Sequence, residues 1–254
     1  MPLTLSVAII TKNEEANLAR TLASVRWADE IVIVDSGSTD RTAEIAREFG
    51  AKFFVEEWRG FGAQKNSAIA KCSGDWVLSL DADEEVSAEL AEDIRGLLRS
   101  QPEHEAYFLP RRNFFLGRWI RHGGYYPDPK LRLFRRGGAQ FEERAVHETI
   151  RRSGPAGRLR GDLIHHAYPT LDAYIEHMNR YSALGATQAV ARGKTSRSIF
   201  TFLWNVFVIP VATFKYNYFL RLGFLDGREG LLLHLYHSVY VSWKYAKAWE
   251  KGQS

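Results

Sequence analysis

Four short apolar runs alternate with stretches of helical spacing over the first hundred residues of this 254-residue chain. The runs occupy residues 5–10, 31–34, 52–55 and 76–80, and β-branched residues make up the second. Strands that are apolar throughout, rather than at alternate residues, are typical of a parallel sheet covered by helices on both faces. The sequence therefore predicts an α/β fold with a mostly parallel sheet.

Polar clusters follow three of these runs, at residues 11–14, 35–40 and 81–85. In open parallel sheets, ligands bind beyond the carboxyl ends of the strands. Because all three clusters come at such ends, we expect them to lie together along one edge of the sheet. This edge is the predicted functional site.

The third cluster contains Asp81-Ala82-Asp83, directly after a buried-type strand. Residues two apart on a strand point to the same side. Two converging carboxylates suit a hard divalent cation, which can also bridge phosphate oxygens. The alternative is a solvated acidic loop, in which Glu84 and Glu85 favour the N-terminus of the following helix. Taken alone, the tripeptide favours the solvated loop.

The other clusters also have structural explanations. Residues 35–40, Asp-Ser-Gly-Ser-Thr-Asp, could place a carboxylate and hydroxyls against a nucleoside, or form a turn that caps the next helix. Residues 11–14, Thr-Lys-Asn-Glu, match the capping-box pattern. Lys65 lies near the start of a helical pattern, where it could reach a phosphate or be solvated. None of these segments indicates a function by itself.

The order and spacing of the clusters resemble those of the family 2 glycosyltransferases of the GT-A fold. The subgroup that they resemble builds lipopolysaccharide core and includes β-1,4-glucosyltransferase-like members. The matching elements are Thr11-Lys12-Asn13-Glu14, residues 35–40, Lys65-Asn66 and Asp81-Ala82-Asp83. Ser36-Gly37-Ser38 is one departure, because many relatives have Gly or Asp directly after the first Asp. The resemblance implies a Rossmann-like GT-A sheet and a nucleotide-diphosphate sugar as donor.

The resemblance also implies roles for individual residues. Those implied to bind the nucleotide sugar are Thr11, Asn13, Glu14, Asp35, Ser38, Lys65, Asp81 and Ala82. Asp83 is implied to coordinate Mn²⁺ or Mg²⁺ on the diphosphate. A bound cation neutralises the charge that develops on the leaving nucleoside diphosphate. We expect the transferred sugar to be glucose, with UDP-glucose as the donor.

Family 2 members typically invert the anomeric centre by direct displacement, so a carboxylate must deprotonate the acceptor hydroxyl. The candidates in the middle of the chain are Asp128, Glu142, Glu143 and Glu148. We favour Glu148, with Asp128 as the second choice, because the neighbouring His147 could join the metal or phosphate shell. A structural histidine is an equally good explanation of His147.

Aromatic and basic residues are concentrated between residues 107 and 166. Trp119, Tyr125 and Tyr126 could stack on an acceptor sugar. The arginines that could hold acceptor phosphates by forked hydrogen bonds are Arg111, Arg112, Arg132, Arg135 and Arg136. Core aromatics and a basic surface are the alternative, which is favoured for each residue taken singly. His165-His166 is predicted to be structural, because neighbours on a strand point in opposite directions.

Charge divides the chain into an acidic and a basic part. Residues 1–100 carry 11 Lys+Arg against 18 Asp+Glu, whereas residues 101–254 carry 23 against 12. The basic part includes an uncharged apolar run at residues 198–214, which is at the short limit of a bilayer span and is interrupted by Pro210. Attachment to an anionic membrane surface is favoured over a buried helix, and both are favoured over a true span.

These observations predict a GT-A catalytic domain at residues 1–168 and a helical, membrane-associated region at residues 169–254. Within the first, residues 1–100 would bind the nucleotide sugar and residues 101–168 the acceptor. No basic leader with a cleavage site precedes the first strand, so we predict a cytoplasmic protein that is peripheral on the inner face of the cytoplasmic membrane. The single cysteine, Cys72, excludes a disulfide framework and a thiolate metal cluster.

The acceptor that the resemblance implies is a lipid-linked, phosphorylated saccharide. A rival enzyme would transfer the sugar onto polyprenyl phosphate and would need no base for a sugar hydroxyl. A rival of a different class is a basic nucleic-acid-binding protein, suggested by the sequence pI of about 9.1. The chain has no zinc-finger, RRM or KH signature, so no nucleic-acid partner is expected.

Overall fold

The computed structural model describes residues 3–142, 150–152, 154–196 and 198–253. The chain forms two compact units. The first unit contains Met1–Arg111 and Asp128–His165, and the second contains Arg112–Pro127 and His166–Ser254. The three polar clusters that follow predicted strands all belong to the first unit.

The first four β-strands of the described residues alternate with helices, β5 follows β4 directly, and the strands after α4 follow one another closely. In chain order they are β1 (Leu5–Thr11), β2 (Glu30–Asp35), β3 (Lys52–Val55), β4 (Trp76–Asp81), β5 (Glu84–Val86), β6 (Ala106–Leu109), β7 (Arg111–Phe115), β8 (Arg118–Trp119), β9 (Lys130–Arg135), β10 (Ala139–Phe141), β11 (Ile150–Arg152), β12 (Gly157–Arg158) and β13 (Leu163–Tyr168).

The α-helices of the described residues are α1 (Leu18–Ser24), α2 (Thr42–Glu48), α3 (Phe61–Ala70), α4 (Ala88–Arg99), α5 (Leu171–Ala191), α6 (Ile199–Leu203), α7 (Ile209–Lys215) and α8 (Gly227–Lys251). Two π-helical turns, Trp204–Val208 and Tyr216–Leu220, continue α6 and α7. Together these four segments form one continuous helix of 22 residues, Ile199–Leu220, which we call the apolar helix. A short 3₁₀ turn, Gly223–Asp226, leads from it into α8.

Seven strands of the first unit form one sheet, in the order β12-β6-β9-β4-β1-β2-β3. β1 pairs in parallel with both β2 and β4, and β2 pairs in parallel with β3. The sheet has a reversed strand, β9, which runs antiparallel to its neighbours β4 and β6. The predicted α/β fold with a mostly parallel sheet is therefore confirmed.

Helices cover both faces of this sheet, as the apolar strands predict. Val7 and Ile9 belong to the core cluster on one face, together with Leu18 and Leu22 of α1 and with residues of α2 and α4. Ala8, between them, belongs to the cluster on the opposite face, where α3 packs. Each fully buried Val, Leu or Ile side chain in these clusters stabilises the fold by about 1.5–3 kcal/mol. Because helices cover both faces of the sheet, a ligand can reach the ends of the strands but not their faces.

The start of α4 agrees with the sequence prediction. Ser87 occupies the N-cap position, and its Oγ accepts a hydrogen bond from the Leu90 N–H at 3.1 Å. Ile94 and Leu98 lie on the buried side of the helix. A serine cap of this kind contributes about 1 kcal/mol to stability.

The start of α1 differs from the capping-box interpretation of residues 11–14. The helix begins at Leu18, with Asn17 at the N-cap position and without a side-chain cap. The reason is that the preceding loop bonds instead to the loop after β2 and to the start of α2. The Glu14 N–H, for example, donates to Thr42 Oγ1 at 2.8 Å. The Thr-Lys-Asn-Glu segment is thus a loop at the sheet edge.

The second unit is mainly helical, which confirms the predicted helical part near the C-terminus. α8 packs along α5 and also against the apolar helix. A core cluster joins the short strands of this unit to its helices, and its buried members are Phe115, Ile120, Tyr174 and Leu233. Small residues, Ala186, Ala189 and Ala248, allow α5 and α8 to approach closely.

Candidate active site

The carboxyl ends of β1, β2 and β4 lie side by side. In the sheet register Thr11 is opposite Asp35, and Ile10 is opposite Asp81. The three polar clusters therefore begin at the same edge of the sheet. This is the geometry that a ligand site of an open parallel sheet requires.

The Asp35 carboxylate organises the loop after β2. It is 2% exposed and accepts four hydrogen bonds, from Thr11 Oγ1 at 2.8 Å, the Gly37 N–H at 2.8 Å, the Ser38 N–H at 2.7 Å and Ser38 Oγ at 2.5 Å. Gly37 has φ 83°, a left-handed conformation that favours glycine. Four bonds use the acceptor capacity of a carboxylate. The geometry thus makes Asp35 the residue that shapes the loop.

The loop after β1 is bonded to the loop after β2. Asn13 has φ 55°, which asparagine tolerates better than most residues. Its N–H donates to Ser38 Oγ at 2.7 Å, and its Oδ1 accepts from the Thr39 N–H at 2.9 Å. Lys12 Nζ donates to the Ser36 carbonyl at 3.0 Å. The two loops consequently form one fixed wall of the site.

Glu14 is the acidic residue of this wall. Asn17 Nδ2 donates to Glu14 Oε2 at 3.0 Å. Burial raises the pKa of the Glu14 carboxyl, the Asn17 hydrogen bond opposes this, and the charges of Asp83, Asp40 and Asp81 raise the pKa further. Glu14 therefore shares its surroundings with the carboxylates that follow β4.

Two cations hold the Asp81 carboxylate. Lys65 Nζ lies 2.8 Å from Asp81 Oδ1, and Arg132 Nη2 donates to Asp81 Oδ2. Burial raises the pKa of Asp81, but Arg132 and Lys65 outweigh it and hold the pKa well below its usual range. Lys65 is positioned by α3, where Asn66 exchanges two hydrogen bonds with the backbone of Phe141, at 2.8 and 2.9 Å. The Lys-Asn pair thus fixes an ammonium group beside Asp81.

Glu84 is the most buried charged group of the site, with a side chain that is 0% exposed. Its Oε1 accepts from Arg111 Nη1 and from Arg132 Nη2, each at 2.9 Å. Its Oε2 accepts from the Asp81 N–H at 3.0 Å. Burial lowers the pKa of Arg132, but Asp81 and Glu84 outweigh it and raise the pKa above its ordinary value. Glu84 therefore ties both arginines to the backbone at the end of β4.

Arg111 extends these contacts to Asp128. Its Nε and Nη2 donate to Asp128 Oδ2 at 3.0 and 2.7 Å, and Lys130 Nζ lies 2.8 Å from Asp128 Oδ1. Burial raises the pKa of Asp128, but Arg111 and Lys130 outweigh it and lower the pKa to about 2. The result is a row of alternating charges, which we call the charge row: Lys65, Asp81, Arg132, Glu84, Arg111, Asp128 and Lys130.

Asp83 faces a histidine. The His165 Nε2 atom is 3.3 Å from Asp83 Oδ2, and the two side chains are 16% and 27% exposed. β13 pairs antiparallel with β5 so that His165 is opposite Glu84, next to Asp83 in the chain. Burial raises the pKa of Asp83, but His165 outweighs it and the net shift is downward. An imidazole and a carboxylate that converge in this way can share a cation.

The structure brings most of the predicted donor-site residues to one sheet edge. Ala82 differs, because it is 5% exposed and its carbonyl accepts from Thr21 Oγ1 of α1 at 2.7 Å. Glu148 and His147 lie outside the described residues, as does Glu143. Glu142 is described, and its Oε1 accepts from Arg151 Nε at 2.7 Å.

The predicted acceptor residues are divided between the two units. In the first unit, Arg111 and Arg132 bind carboxylates, although the sequence suggested acceptor phosphates for them. In the second unit, Trp119 has the guanidinium groups of Arg112 and Arg121 at 4.6 and 4.1 Å from its ring centroid, and Tyr126 at 5.2 Å.

Two site residues were missed by sequence reasoning. Glu84 was assigned only to the start of a helix, and its role depends on Arg111 of β7 and Arg132 of β9, which lie far from it in sequence. His165 was predicted to be structural. The opposite directions of strand neighbours were available as a signal, since His165 faces Asp83 whereas His166 stacks on Phe114 at 5.5 Å.

Comparison with known proteins places this site in a family. The model of "Glycosyl transferase family 2" matches residues 6–159, which include the charge row and, apart from Leu5, all seven strands of the sheet. The chain belongs to this family. It is a glycosyltransferase, and a homologue of a lipopolysaccharide core enzyme: it is 35% identical over 266 aligned residues to the "Lipopolysaccharide core biosynthesis glycosyltransferase LpsC" of Rhizobium meliloti (strain 1021), covering 98% of this chain and 93% of that protein.

Other similar proteins are less informative about the reaction. An uncharacterised glycosyltransferase of Rickettsia typhi is 32% identical over 241 residues, covering 90% of this chain and 80% of the relative. Among solved structures, S. aureus TarS in complex with UDP has a TM-score of 0.49 and 17% identity, covering 99% of this chain and 91% of that one. The glucosyl-3-phosphoglycerate synthase of Mycobacterium tuberculosis, solved with Mn²⁺ and UDP, has a TM-score of 0.37 and 25% identity over 44% of each chain.

Proposed function

We propose that this family 2 glycosyltransferase moves a sugar from a nucleotide-diphosphate donor onto a lipopolysaccharide core or other envelope glycan, with inversion and with a divalent cation. The observation that carries the proposal is the Asp83–His165 pair next to the end of β4, where Asp81 lies at the same sheet edge as Asp35. Glucose from UDP-glucose is the donor that we propose. The LpsC relative supports the acceptor class, because its name assigns it to lipopolysaccharide core biosynthesis.

The wall formed by the loops after β1 and β2 would receive the nucleoside. Asn13, Glu14 and Ser38 lie on this wall. Thr11 and Asp35 stabilise it through their 2.8 Å hydrogen bond, which joins the ends of β1 and β2. We assign Asp35 a positioning role, since its four hydrogen bonds use its acceptor capacity. A wall that is already ordered costs little conformational entropy when the donor binds.

Asp83 and His165 fit a bound Mn²⁺ or Mg²⁺. Ligands on adjacent octahedral positions at about 2.1 Å from an ion lie about 3 Å apart, close to the 3.3 Å between Asp83 Oδ2 and His165 Nε2. No group of three His, Cys, Asp or Glu residues converges in the described part of the chain. Diphosphate oxygens and water would therefore complete the shell. When bound, the cation supplies positive charge to the leaving diphosphate.

Protein cations would assist departure of the diphosphate. Lys65 and Arg132 both contact Asp81, and the side chain of each is 7% exposed. Charges fixed before the reaction stabilise a developing negative charge without a reorganisation cost. Lys65 would therefore contact the phosphates, and Arg132 would keep Asp81 oriented.

Glu148 remains our proposal for the base that deprotonates the acceptor hydroxyl. The environment of Asp128 supports this choice between the two candidates. Arg111 and Lys130 occupy both Asp128 oxygens, and its pKa of about 2 makes it a weak proton acceptor. His147 stays a possible further ligand of the metal or phosphate shell. We propose that Asp128 instead fixes Arg111.

The acceptor would be a lipid-linked saccharide, which places the enzyme at a membrane surface. We propose a cytoplasmic location, peripheral on the inner face of the cytoplasmic membrane, and no nucleic-acid partner. The basic character of residues 101–254 supports an anionic surface as the site of action. The sequence prediction of a catalytic domain at 1–168 and a membrane-associated region at 169–254 becomes part of this proposal.

The test combines donor binding with product analysis. Calorimetry with a panel of sugar nucleotides, with and without Mn²⁺ or Mg²⁺, should reveal metal-dependent binding, which Asp83→Asn abolishes while the circular dichroism spectrum is unchanged. Asp172→Asn, on the surface of the second unit, is the matched control.

Turnover with membrane extract should be lost in Asp83→Asn and fall by at least ~10²-fold in Glu148→Gln. Unchanged turnover in Asp83→Asn would refute the metal assignment. Product on polyprenyl phosphate alone would refute the acceptor.

A further inference from the structure

The apolar helix (Ile199–Leu220) exposes large hydrophobic side chains along its whole length. Phe200 is 82% exposed, Phe207 is 67% exposed and Leu220 is 75% exposed. Only 6% of its most apolar 18-residue stretch is buried within the structure, whereas the core helix of a globular protein would be mostly buried. An exposed apolar surface of this extent marks an interaction site.

From Phe200 to Val211 the exposed side chains form a continuous stripe, because they recur every three or four residues on the helix, and Phe219 lies two turns further on. The members of this apolar stripe are Phe200, Leu203, Trp204, Phe207, Val208, Val211 and Phe219. From Phe200 to Val211 the stripe is about 16 Å long at 1.5 Å per residue. Lys215, between Val211 and Phe219, is the charged residue of the apolar helix.

The other side of the apolar helix is attached to α8. Phe202 packs edge-on against Trp249 with ring centroids 5.2 Å apart. Ser242 Oγ donates to the Val206 carbonyl at 2.8 Å. These contacts fix the rotation of the helix, so the apolar stripe faces away from α8.

Charge identifies the partner as anionic. Residues 191–254 carry nine Lys+Arg against three Asp+Glu. Lys215, Arg221 and Arg228 are exposed at and beyond the C-terminal end of the apolar helix, and Trp204 and Tyr216 are exposed on it. Basic and aromatic residues beside a hydrophobic stripe are typical of helices that lie in the headgroup region of an anionic bilayer.

The packing of α8 decides between lying on the bilayer and crossing it. A helix of 22 residues is long enough to span. Spanning would carry the attached α8 into the hydrocarbon with Lys244 and Lys247, and charged side chains are costly near the bilayer centre. Lys247 Nζ is moreover bonded to Asn179 Oδ1 at 2.6 Å and to Ser182 Oγ at 2.7 Å, both on α5. A helix that lies flat immerses only its stripe.

We propose that the apolar helix lies parallel to the surface of an anionic lipid bilayer, with the apolar stripe immersed in the interface and α8 above it. This deepens the membrane location of the proposed function and is independent of the transfer reaction. The sequence left three possibilities for this segment: a surface helix, a buried helix and a membrane span. The proposal selects the surface helix.

Vesicle binding by the full chain tests the partner. Sedimentation with vesicles of phosphatidylcholine containing 30% phosphatidylglycerol should be strong, and should weaken with phosphatidylcholine alone or at high salt. Phe207→Ser should lower the partition coefficient by about tenfold. Val55→Ser, at a residue of the first unit that is also 67% exposed, is the matched control and should have no effect. Equal binding by Phe207→Ser and the unaltered protein would overturn the proposal.

Depth measurements test the orientation. Single labels on Phe200→Cys, Val211→Cys and Phe219→Cys should be quenched equally by shallow doxyl lipids, whereas a spanning helix would place the central label deepest. The native Cys72 is buried, and burial raises the pKa of its thiol to about 12, so it does not compete for the label. A deep central label refutes the flat orientation.

Two further outcomes separate the explanations. The protein could fail to bind vesicles and instead form a dimer, detected by ultracentrifugation, that Phe207→Ser disrupts. In that case a second copy covers the apolar stripe and the proposal is wrong. If vesicles bind but no sugar nucleotide does, the proposed reaction fails while the membrane inference stands.

Discussion

Glu84→Gln removes one charge from the centre of the charge row and keeps the shape of the side chain. The glutamine Oε1 can still accept from Arg111 and Arg132, which Glu84 contacts at 2.9 Å each. The new amide group, however, meets the Asp81 N–H and loses the 3.0 Å hydrogen bond. The variant therefore tests whether the buried negative charge is needed.

The cost follows from the burial of the side chain, which is 0% exposed. Removing one partner of a buried charge pair destabilises a protein by about 3–5 kcal/mol. Arg111 keeps Asp128 and Arg132 keeps Asp81, so we expect the lower end, about 3 kcal/mol. In a domain of this size such a loss lowers the Tm by about 6–12 °C.

Thermal and urea unfolding, followed by circular dichroism, measure the effect. The matched control is Glu85→Gln, the next residue, whose side chain is 30% exposed and lies 3.9 Å from Arg20. A surface pair of this kind contributes up to about 1 kcal/mol. If Glu84→Gln were as stable as Glu85→Gln, the argument that a fully desolvated carboxylate organises the end of β4 would be refuted.

Two other predictions concern the same unit. Because the pKa of Asp128 is lowered to about 2, its ionised form stabilises the fold above pH 4, and this contribution of about 2 kcal/mol is lost as the pH falls from about 4 to about 2. Urea unfolding should show a smaller loss over this interval in Asp128→Asn than in the unaltered protein, and equal losses would contradict the pairing with Arg111. Gly37→Ala should lower stability by about 1–2 kcal/mol because of its φ of 83°. Gly96→Ala, inside α4 with open space around it, should be neutral or stabilising, and a similar response of both glycines would exclude backbone strain as the cause.

The strands were predictable because their signal is local. Lys52–Val55 is a strand with the predicted bounds, and β1 extends one residue beyond the predicted run, to Thr11. Buried parallel strands such as β1 and β4 need apolar residues on both faces, so a single stretch of sequence reveals them. The sheet edge follows from the strand ends, which is why Asp35 and Asp81 could be placed together without coordinates.

The charge row was not predictable because its members come from distant strands. Arg132 reaches Asp81 only because β9 runs antiparallel to β4, and that pairing has no local signature. A sequence shows that a residue is basic, but not whether its partner is a carboxylate of the same chain or a ligand. Glu148 and His147 lie outside the described residues, so their assignments stay predictions.

The uncovered face of the apolar helix has a practical consequence for anyone who handles the purified chain. In buffer without lipid or detergent, the exposed apolar stripe favours self-association of the protein as its concentration rises. A molar mass measured without detergent would then depend on the protein concentration and would not give the oligomeric state. A mild detergent above its micelle threshold should make the particle size independent of dilution.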